Sequence, residues 1–500
     1  MRYSWPDRVQ RLLTKIGVMS APRLSVVGHC TTTTARILCC TDGPDGSVAR
    51  LAWRAGGMGG FVEAALAAAP PYEIGVLDLI GLPPGAEVTY ALALAPSASA
   101  LPPAEKILES GSGRFRLLPP DRPPRIALLS CNGIYEPQDE AHRCDMWRQL
   151  GAEIAAGKVD LVVHAGDQVY ADDIVKRYAT EARDARDRAA MLRLLTEEYR
   201  RLYVERFWTV PEVAAVLTSC PNVMTWDDHD IDEGWGSNPN DDQPYRRLFF
   251  RAAQRAFADF QASTGCPRID EDSFACGFVH GEIAFLLLDG RTHRLYKEGR
   301  VLGNAQLAAA RRWLDALPQS TRRVFLVLGI PPVHAKLATA AAILRWTPFS
   351  EPYASDLRDG WVSKGNQAEC ARLMQLLLDF YSSHPATEVT ILSGDVHVGD
   401  IGRIEHPSAG VTWQVTSSGI ASPPPDGLSG WLMEKDSRPP IDLGAGFCGR
   451  LIPITEHGHD LMNRRNFALL EHHDDHLHVQ LFGEGLPAPR EFRLPRRSGK

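Results

Sequence analysis

The sequence predicts an α/β (α+β) protein: strands and helices alternate from Arg125 onward, and a small all-β domain precedes them. Three observations predict this. Before residue 118, short β-rich pieces recur between Gly- and Pro-containing turns, the pattern of a small β-sandwich. After residue 125, short apolar runs alternate with longer helical segments, which favours βαβ units. Four of the apolar runs stop on residues that can bind metal: 126–131 on Cys, 161–170 on Asp and Tyr, 222–230 on Asp and His, 389–397 on Asp and His. Short apolar runs bounded by Gly are the sequence form of buried parallel strands, and ligands of open α/β folds collect at the carboxyl ends of such strands.

Taken in order, residues 1–22 form a lead-in with a helix expected at Asp7–Ile16. A domain over 23–118 carries strands at Leu24–Val27, Ala35–Cys40, Ala49–Trp53, Tyr72–Leu79, Val88–Leu94 and Arg114–Leu118. The run Leu118-Pro-Pro-Asp-Arg-Pro-Pro124 is a stiff linker. A catalytic domain over 125–490 has strands expected at 126–130, 160–164, 222–226, 284–288, 323–329 and 388–392. Helices are expected at 186–208, 244–262, 304–316 and 367–381, and strands return at 411–416, 466–471 and 476–482 as a second sheet on the first. Residues 421–447 carry many Pro and Gly and are expected to form a surface loop.

Composition bounds the function classes. The chain has 500 residues, 44% hydrophobic and 23% charged, an ordinary globular balance. Its formal charge of -7 does not favour nucleic acid as a partner. No stretch approaches the roughly 20 apolar residues that span a bilayer. The polar first ten residues lack an apolar signal core and a twin-arginine pair, so the expected location is cytoplasmic, away from membranes. The ten Cys are scattered and make no Cys-x-x-Cys pair, which fits buried thiols in a reducing compartment.

The donor set is chemically mixed. Asp167 follows a strand and a Gly, where the backbone can turn sharply and the carboxylate can bridge two cations. Tyr170 lies three residues on, and a phenolate suits a trivalent cation. Cys131 supplies a soft thiolate that favours iron or zinc over calcium or magnesium. Asp228, Asp395 and His397 complete the candidate metal ligands. Singly, such residues are more often an N-cap, a buried thiol or packing. Four strand ends of this kind together point to one polynuclear site.

The motifs Ser-Cys, Gly-Asp-Gln-Val-Tyr, Trp-Asp-Asp-His-Asp and Ser-Gly-Asp-Val-His resemble those of the alkaline phosphatase D family, a branch of the calcineurin-like metallophosphatases. The resemblance runs from about Val26 to Glu471 and includes Leu-Asp-Gly-Arg-Thr-His-Arg at 288–294 and Leu-Gly-Asn-Ala-Gln at 302–306. It implies a two-layer β sandwich flanked by helices. It also implies Fe3+ held by Cys131, Asp167, Tyr170 and His397, and Ca2+ held by Asp167, Asp228 and Asp395. If all ionise, Cys131, Asp167, Tyr170, Asp228 and Asp395 carry five negative charges, which Fe3+ plus Ca2+ neutralises. Zn2+ or Mn2+ is the alternative. The triplet Asp289-Gly290-Arg291 has Gly where the family has Thr.

The expected function is a metal-dependent phosphoesterase acting on small-molecule phosphomonoesters, phosphodiesters or both. A water activated by the cations is the expected nucleophile. His229 is expected to protonate the leaving oxygen or hydrogen-bond the phosphate, with Asp230 orienting it. Asn132 is a candidate phosphate contact or shapes the turn after Cys131, and Arg291 or Arg294 is a candidate substrate contact or forms a surface ion pair. His334 sits where the wider superfamily carries another metal-binding His; a capping role is the alternative. Trp235 and Tyr245 flank the loop after the third motif and are candidates for a substrate wall. The run Glu471-His-His-Asp-Asp-His-Leu-His478 reads as a hairpin with Asp474 and Asp475 in its turn, or as a metal site. The rival enzyme is a calcineurin-like nuclease or phospholipase-type diesterase. The rival without activity is a scaffold that keeps its metals for folding. Substrate and oligomeric state are not legible in the residues.

Overall fold

The structure is a computed structural model and describes residues 23–42, 46–111, 113–134, 143–335, 358–425, 427–455 and 458–497. The lead-in with its expected helix lies outside the described residues. Between Leu24 and Arg116 two four-stranded antiparallel sheets form, ordered Leu24–Cys30, Ala35–Thr41, Tyr72–Leu79, Ala67–Ala69 and Met58–Ala65, Val48–Ala55, Glu87–Ala95, Gly113–Arg116. Val27, Ile37 and Leu77 of one sheet pack on Leu51, Val88 and Phe115 of the other. The strand Met58–Ala65 was not expected: its residues are mostly exposed and include Gly59 and Gly60, and only Val62 and Ala64 pack on the core.

Two larger sheets follow. A six-stranded sheet runs Asn222–Thr225, Leu161–Ala165, Ile126–Leu129, Asn466–His472, His476–Gly483, Arg490–Pro495. Its first three strands are parallel. The last strand carries the sheet past residue 490. An eight-stranded sheet runs Cys276–His280, Ile283–Leu287, Arg323–Val327, Glu388–Ser393, Gly410–Ser417, Gly399–His406, Phe447–Leu451, Ile441–Gly444.

Alternation along each strand explains the layers. Ile126, Leu128, Leu161 and Val163 face Phe285, Val327, Leu392 and Val415 across the gap between the sheets. Their neighbours Ala127, Leu129 and Val162 face outward, onto helices including Asp145–Ala155, Arg188–Arg201 and Arg246–Phe260. On the far side, Ala284, Leu286, Leu326 and Ile391 pack on Gly303–Asp315 and Gln367–Ser383. The fold is thus a two-layer β sandwich flanked by helices. Strands buried on both faces must be apolar throughout, which is why they read as unbroken runs.

The surface loop expected at 421–447 is corrected. It contains a helix, Gly427–Ser437, and two strands, Ile441–Gly444 and Phe447–Leu451, that extend the eight-stranded sheet. Ile441, Leu443, Phe447, Gly449 and Leu451 are buried in alternation. Gly and Pro between them mark turns, and that mark hid a period of two.

Candidate metal centre

Three parallel strands of one sheet and a central strand of the other end at the same place. Cys131 follows Ile126–Leu129, Asp167 follows Leu161–Ala165, Asp227 and Asp228 follow Asn222–Thr225, and Asp395 follows Glu388–Ser393. Each chain must turn away sharply there. Among the described residues five non-glycine positions have positive φ, and four are Cys131 (57°), Asp167 (55°), Asp395 (70°) and His397 (54°). Such a conformation is unfavourable for a side-chain-bearing residue and persists only where the surroundings enforce it, as at functional sites. Gly166 adopts φ +106°, and a Cβ there would lie 2.5 Å from the Asp227 Cβ. Glycine at 166 lets the two ligand-bearing turns touch.

The side chains converge. Carboxylate oxygens of Asp167, Asp227, Asp228 and Asp395 lie within 4.8 Å of one another, and Asp167, Asp228 and His229 form an overlapping group. Cys131 Sγ is 3.3 Å from Asp167 Oδ2. Tyr170 Oη is 3.2 Å from His397 Nε2 and 2.9 Å from Ser422 Oγ. Ser418 joins the two pairs: its Oγ donates to Cys131 Sγ at 3.1 Å and accepts from the His397 N–H at 2.8 Å. All six expected ligands therefore meet in one region, together with Asp227, which was not singled out.

The electrostatics call for cations. Burial, then the neighbouring Cys131 and Asp228, pushes the Asp167 carboxyl well above the usual carboxylate range. Burial, then Asp227, Asp359 and Asp228, does the same to Asp395. Uncompensated buried carboxylates are unfavourable by several kcal/mol each. Burial lowers His397 to about 4, so its imidazole is neutral, the form that binds metal. The residues present fit a centre of more than one cation: anionic oxygen, one thiol, one phenol and a neutral imidazole.

Two sequence-level roles are corrected. Asp230 does not orient His229. Its carboxylate accepts from the backbone N–H groups of Asp167 (2.9 Å), Asp227 (2.9 Å) and Val169 (3.3 Å), tying two ligand-bearing turns together. The residue that grips His229 is Asp172, whose Oδ2 is 2.9 Å from Nδ1. Asp172 opens the helix Asp172–Asp184, two residues beyond Tyr170, and that spacing was the available signal. Tyr170 stacks on the His229 ring at 4.2 Å. Burial disfavours the imidazolium, but Asp172, Asp228 and Asp167 outweigh it and hold His229 well above its ordinary value. Asp172 thus orients the His229 ring and, with Asp228 and Asp167, favours its protonated form.

Arg291 is the second correction. It is fully buried. Its Nε donates to Asp227, Nη1 to the Trp235 carbonyl (3.0 Å) and Asp359 (2.9 Å), and Nη2 to Asp228 (3.2 Å) and Asp359 (2.9 Å). All five N–H donors are used, so none remains for a substrate. Arg294 is likewise buried, on Ser237 and Asp359. Asn132 accepts from Trp147 Nε1 (3.0 Å) and donates to the Gln168 carbonyl (3.2 Å), shaping the turn after Cys131. Trp235 is buried and stacks on Phe250 at 5.3 Å, behind Arg291. Tyr245 lies under the Arg183 guanidinium. His334 rests on Asp400 at 3.1 Å, outside the grouped donors.

A cavity of about 160 Å³ opens beside Tyr170, lined by Arg177, Arg201 and Arg206 and by Asp173, Glu198 and Glu205. Among the described residues no helix is long and apolar enough to cross a membrane.

Comparison with known proteins bears on the fold and the family. A solved structure titled "Structure of PhoD" superposes with a TM-score of 0.63 at 14% identity, covering 95% of this chain and 89% of that one; at that identity the match speaks for the fold. Alkaline phosphatase D of Bacillus subtilis is 24% identical over 257 residues, 49% of this chain and 42% of its own. An uncharacterized protein of Saccharomyces cerevisiae is 22% identical over 414 residues, 63% of this chain and 59% of its own. The chain spans about half the length of the curated relatives it matches. The family model of the PhoD-like phosphatases matches residues 126–438, more than half the chain and every strand end that bears a candidate ligand, and the protein belongs to that family.

Proposed function

We propose that the protein is a metal-dependent phosphoesterase of small phosphate monoesters, diesters or both. The observation that carries this reading is the pairing of a crowded anionic pocket with one partly buried imidazole, His229 clamped by Asp172 at 2.9 Å. Cys131, Asp167, Tyr170 and His397 would hold Fe3+, and Asp167, Asp228 and Asp395 would hold Ca2+. Bound cations would supply charge neutralisation of the phosphate and activation of water.

The chain's own residues do the rest. Arg291 and Asp230 fix the carboxylates before any substrate arrives. Such preorganisation avoids reorganisation at the moment of reaction. His229 delivers its proton to the leaving oxygen, and Asp172 stabilises the ring that carries it. The cavity beside Tyr170 has three basic and three acidic side chains in its wall, a balance suited to a small leaving group rather than a polyanion.

The test is metal analysis with a visible spectrum, followed by hydrolysis of p-nitrophenyl phosphate, bis-p-nitrophenyl phosphate and single-stranded DNA. Iron with a thiolate or phenolate charge-transfer band and turnover of the small esters support the reading. Active, colourless, zinc-loaded protein would remove the iron assignment, preferential cleavage of DNA would favour the nuclease, and loaded but inactive protein would leave the scaffold.

A further inference from the structure

A second set of donors lies at the opposite end of the six-stranded sheet. Cys131 follows the carboxyl end of Ile126–Leu129. Asn466–His472 runs antiparallel to that strand, with Leu470 beside Ile126. The hairpin it makes with His476–Gly483 therefore turns beyond the amino end. Five residues separate Ile126 from Cys131, about 17 Å at roughly 3.3 Å per residue.

Alternation divides the histidines of this hairpin. His472 turns inward, where Nδ1 accepts from Arg323 Nε at 3.1 Å. Glu471, His473, His476 and His478 share the other face. Glu471 stands directly across the ladder from His478. The His473 N–H donates to the His476 carbonyl at 3.0 Å, closing the turn, and the two rings stack at 4.6 Å. Donor atoms of Glu471, His473 and His478 lie within 4.8 Å of one another, with His473 Nε2 at 3.9 Å from Glu471 Oε2.

These distances are near those of a coordination sphere. Neighbouring donors on a tetrahedral zinc with bonds of ~2.0 Å are about 3.3 Å apart. Rotation of partly exposed side chains covers the difference, because the backbone ladder already fixes their Cβ atoms. Carboxylates stand beside the rings: Asp475 Oδ1 is 2.6 Å from His476 Nδ1, and Glu491 Oε2 is 3.6 Å from His478 Nε2. Two imidazoles and one carboxylate suit a borderline divalent ion rather than calcium or magnesium.

We propose that Glu471, His473 and His478 bind one zinc-type divalent transition cation, independently of the centre at the strand ends. Bound there, the ion ties the two strands of the hairpin beside its turn and favours the folded form by mass action.

The test uses the full chain with its catalytic metals in place. ZnCl2 is titrated calorimetrically into the wild type, H478A, E471Q and the H473A/H478A double variant, with circular dichroism as the check on folding. The wild type is expected to take up one more equivalent than the double variant, and H478A and E471Q to bind that equivalent at least tenfold more weakly. Added Co2+ should give tetrahedral d–d bands in the wild type that the double variant lacks. Equal stoichiometry and equal affinity in the wild type and E471Q, the mildest change, would overturn the proposal, as would identical Co2+ spectra.

Discussion

Asp172 Oδ2 holds His229 Nδ1 at 2.9 Å, and its Oδ1 accepts from the Glu233 N–H at 2.7 Å. The carboxylate that aims the imidazole is thus itself held by the backbone beyond the third motif. An Asp172→Asn substitution keeps the shape and removes the charge that favours the imidazolium. For a residue that positions a general acid, kcat should fall by about 10- to 100-fold, with KM changed much less. The loss should be larger for an alkyl phosphate, whose leaving oxygen needs the proton, than for p-nitrophenyl phosphate, and metal content should be unchanged. Equal losses on both substrates would separate Asp172 from proton transfer.

Arg291 is the buried cation among Asp227, Asp228 and Asp359, and its guanidinium is fully engaged. Replacing it by Met takes that counter-charge from Asp227 and Asp228 and leaves Asp359 with Arg294 alone. Breaking a buried pair from one side is destabilising by about 3–5 kcal/mol. Urea unfolding of R291M should show a loss of that size, and Arg291→Lys should recover only part of it, because Lys cannot reproduce the five-donor fork. A stability within 1 kcal/mol of wild type, the level of an exposed pair, would mean the cluster does not depend on this charge.

How much of this was legible follows from distance along the chain. Cys131, Asp167, Asp228 and Asp395 announce themselves because each ends an apolar run, and strand ends meet by topology. His229 is legible because it sits inside the same motif. Its partner Asp172 is 57 positions away, and Asp359 meets Arg291 across 68. Contacts of that kind leave no local pattern, so Asp230, adjacent in sequence, takes the orienting role in a reading of residues alone. The left-handed turn at Cys131 is invisible for a similar reason: Cys does not advertise positive φ, and packing imposes it. The hairpin at 466–483 is legible because turn chemistry and alternation coincide.

Gly394 precedes Asp395 where the two sheets meet behind the metal centre. A Cβ there would lie 2.3 Å from Ser130 Oγ, 2.4 Å from Ser130 Cβ and 2.8 Å from the Ala165 carbonyl oxygen. Ser130 Oγ in turn donates to Cys131 Sγ at 3.3 Å. Gly394→Ala should therefore lower stability by about 1–3 kcal/mol, the range for overpacking, and reduce bound metal. A Ser130→Gly change removes two of the three clashes, so the double variant should regain part of both losses. If G394A matched the wild type in unfolding and metal content, the sheets would have more slack at this point than the contacts allow.

His164 gives a pH dependence separate from the metal centre. It lies buried in the strand before Asp167, with Nε2 donating to Asn222 Oδ1 at 2.9 Å. Burial lowers its pKa to about 4, the hydrogen bond to Asn222 opposing only in part. An unfolded histidine titrates near 6.5. Both states are therefore neutral at this group above about pH 7. As pH falls below about 6.5 the unfolded chain takes up a proton that the folded one refuses, and stability drops by up to about 1.4 kcal/mol per pH unit until about pH 4. His164→Gln keeps a donor for Asn222 without titrating. Urea unfolding between pH 7 and 5 should show a fall in stability smaller by about 1–2 kcal/mol in H164Q than in wild type, although H164Q starts from a lower value. Parallel pH profiles for the two proteins would show that His164 takes up its proton equally in both states, and the acid sensitivity would then have to come from other groups.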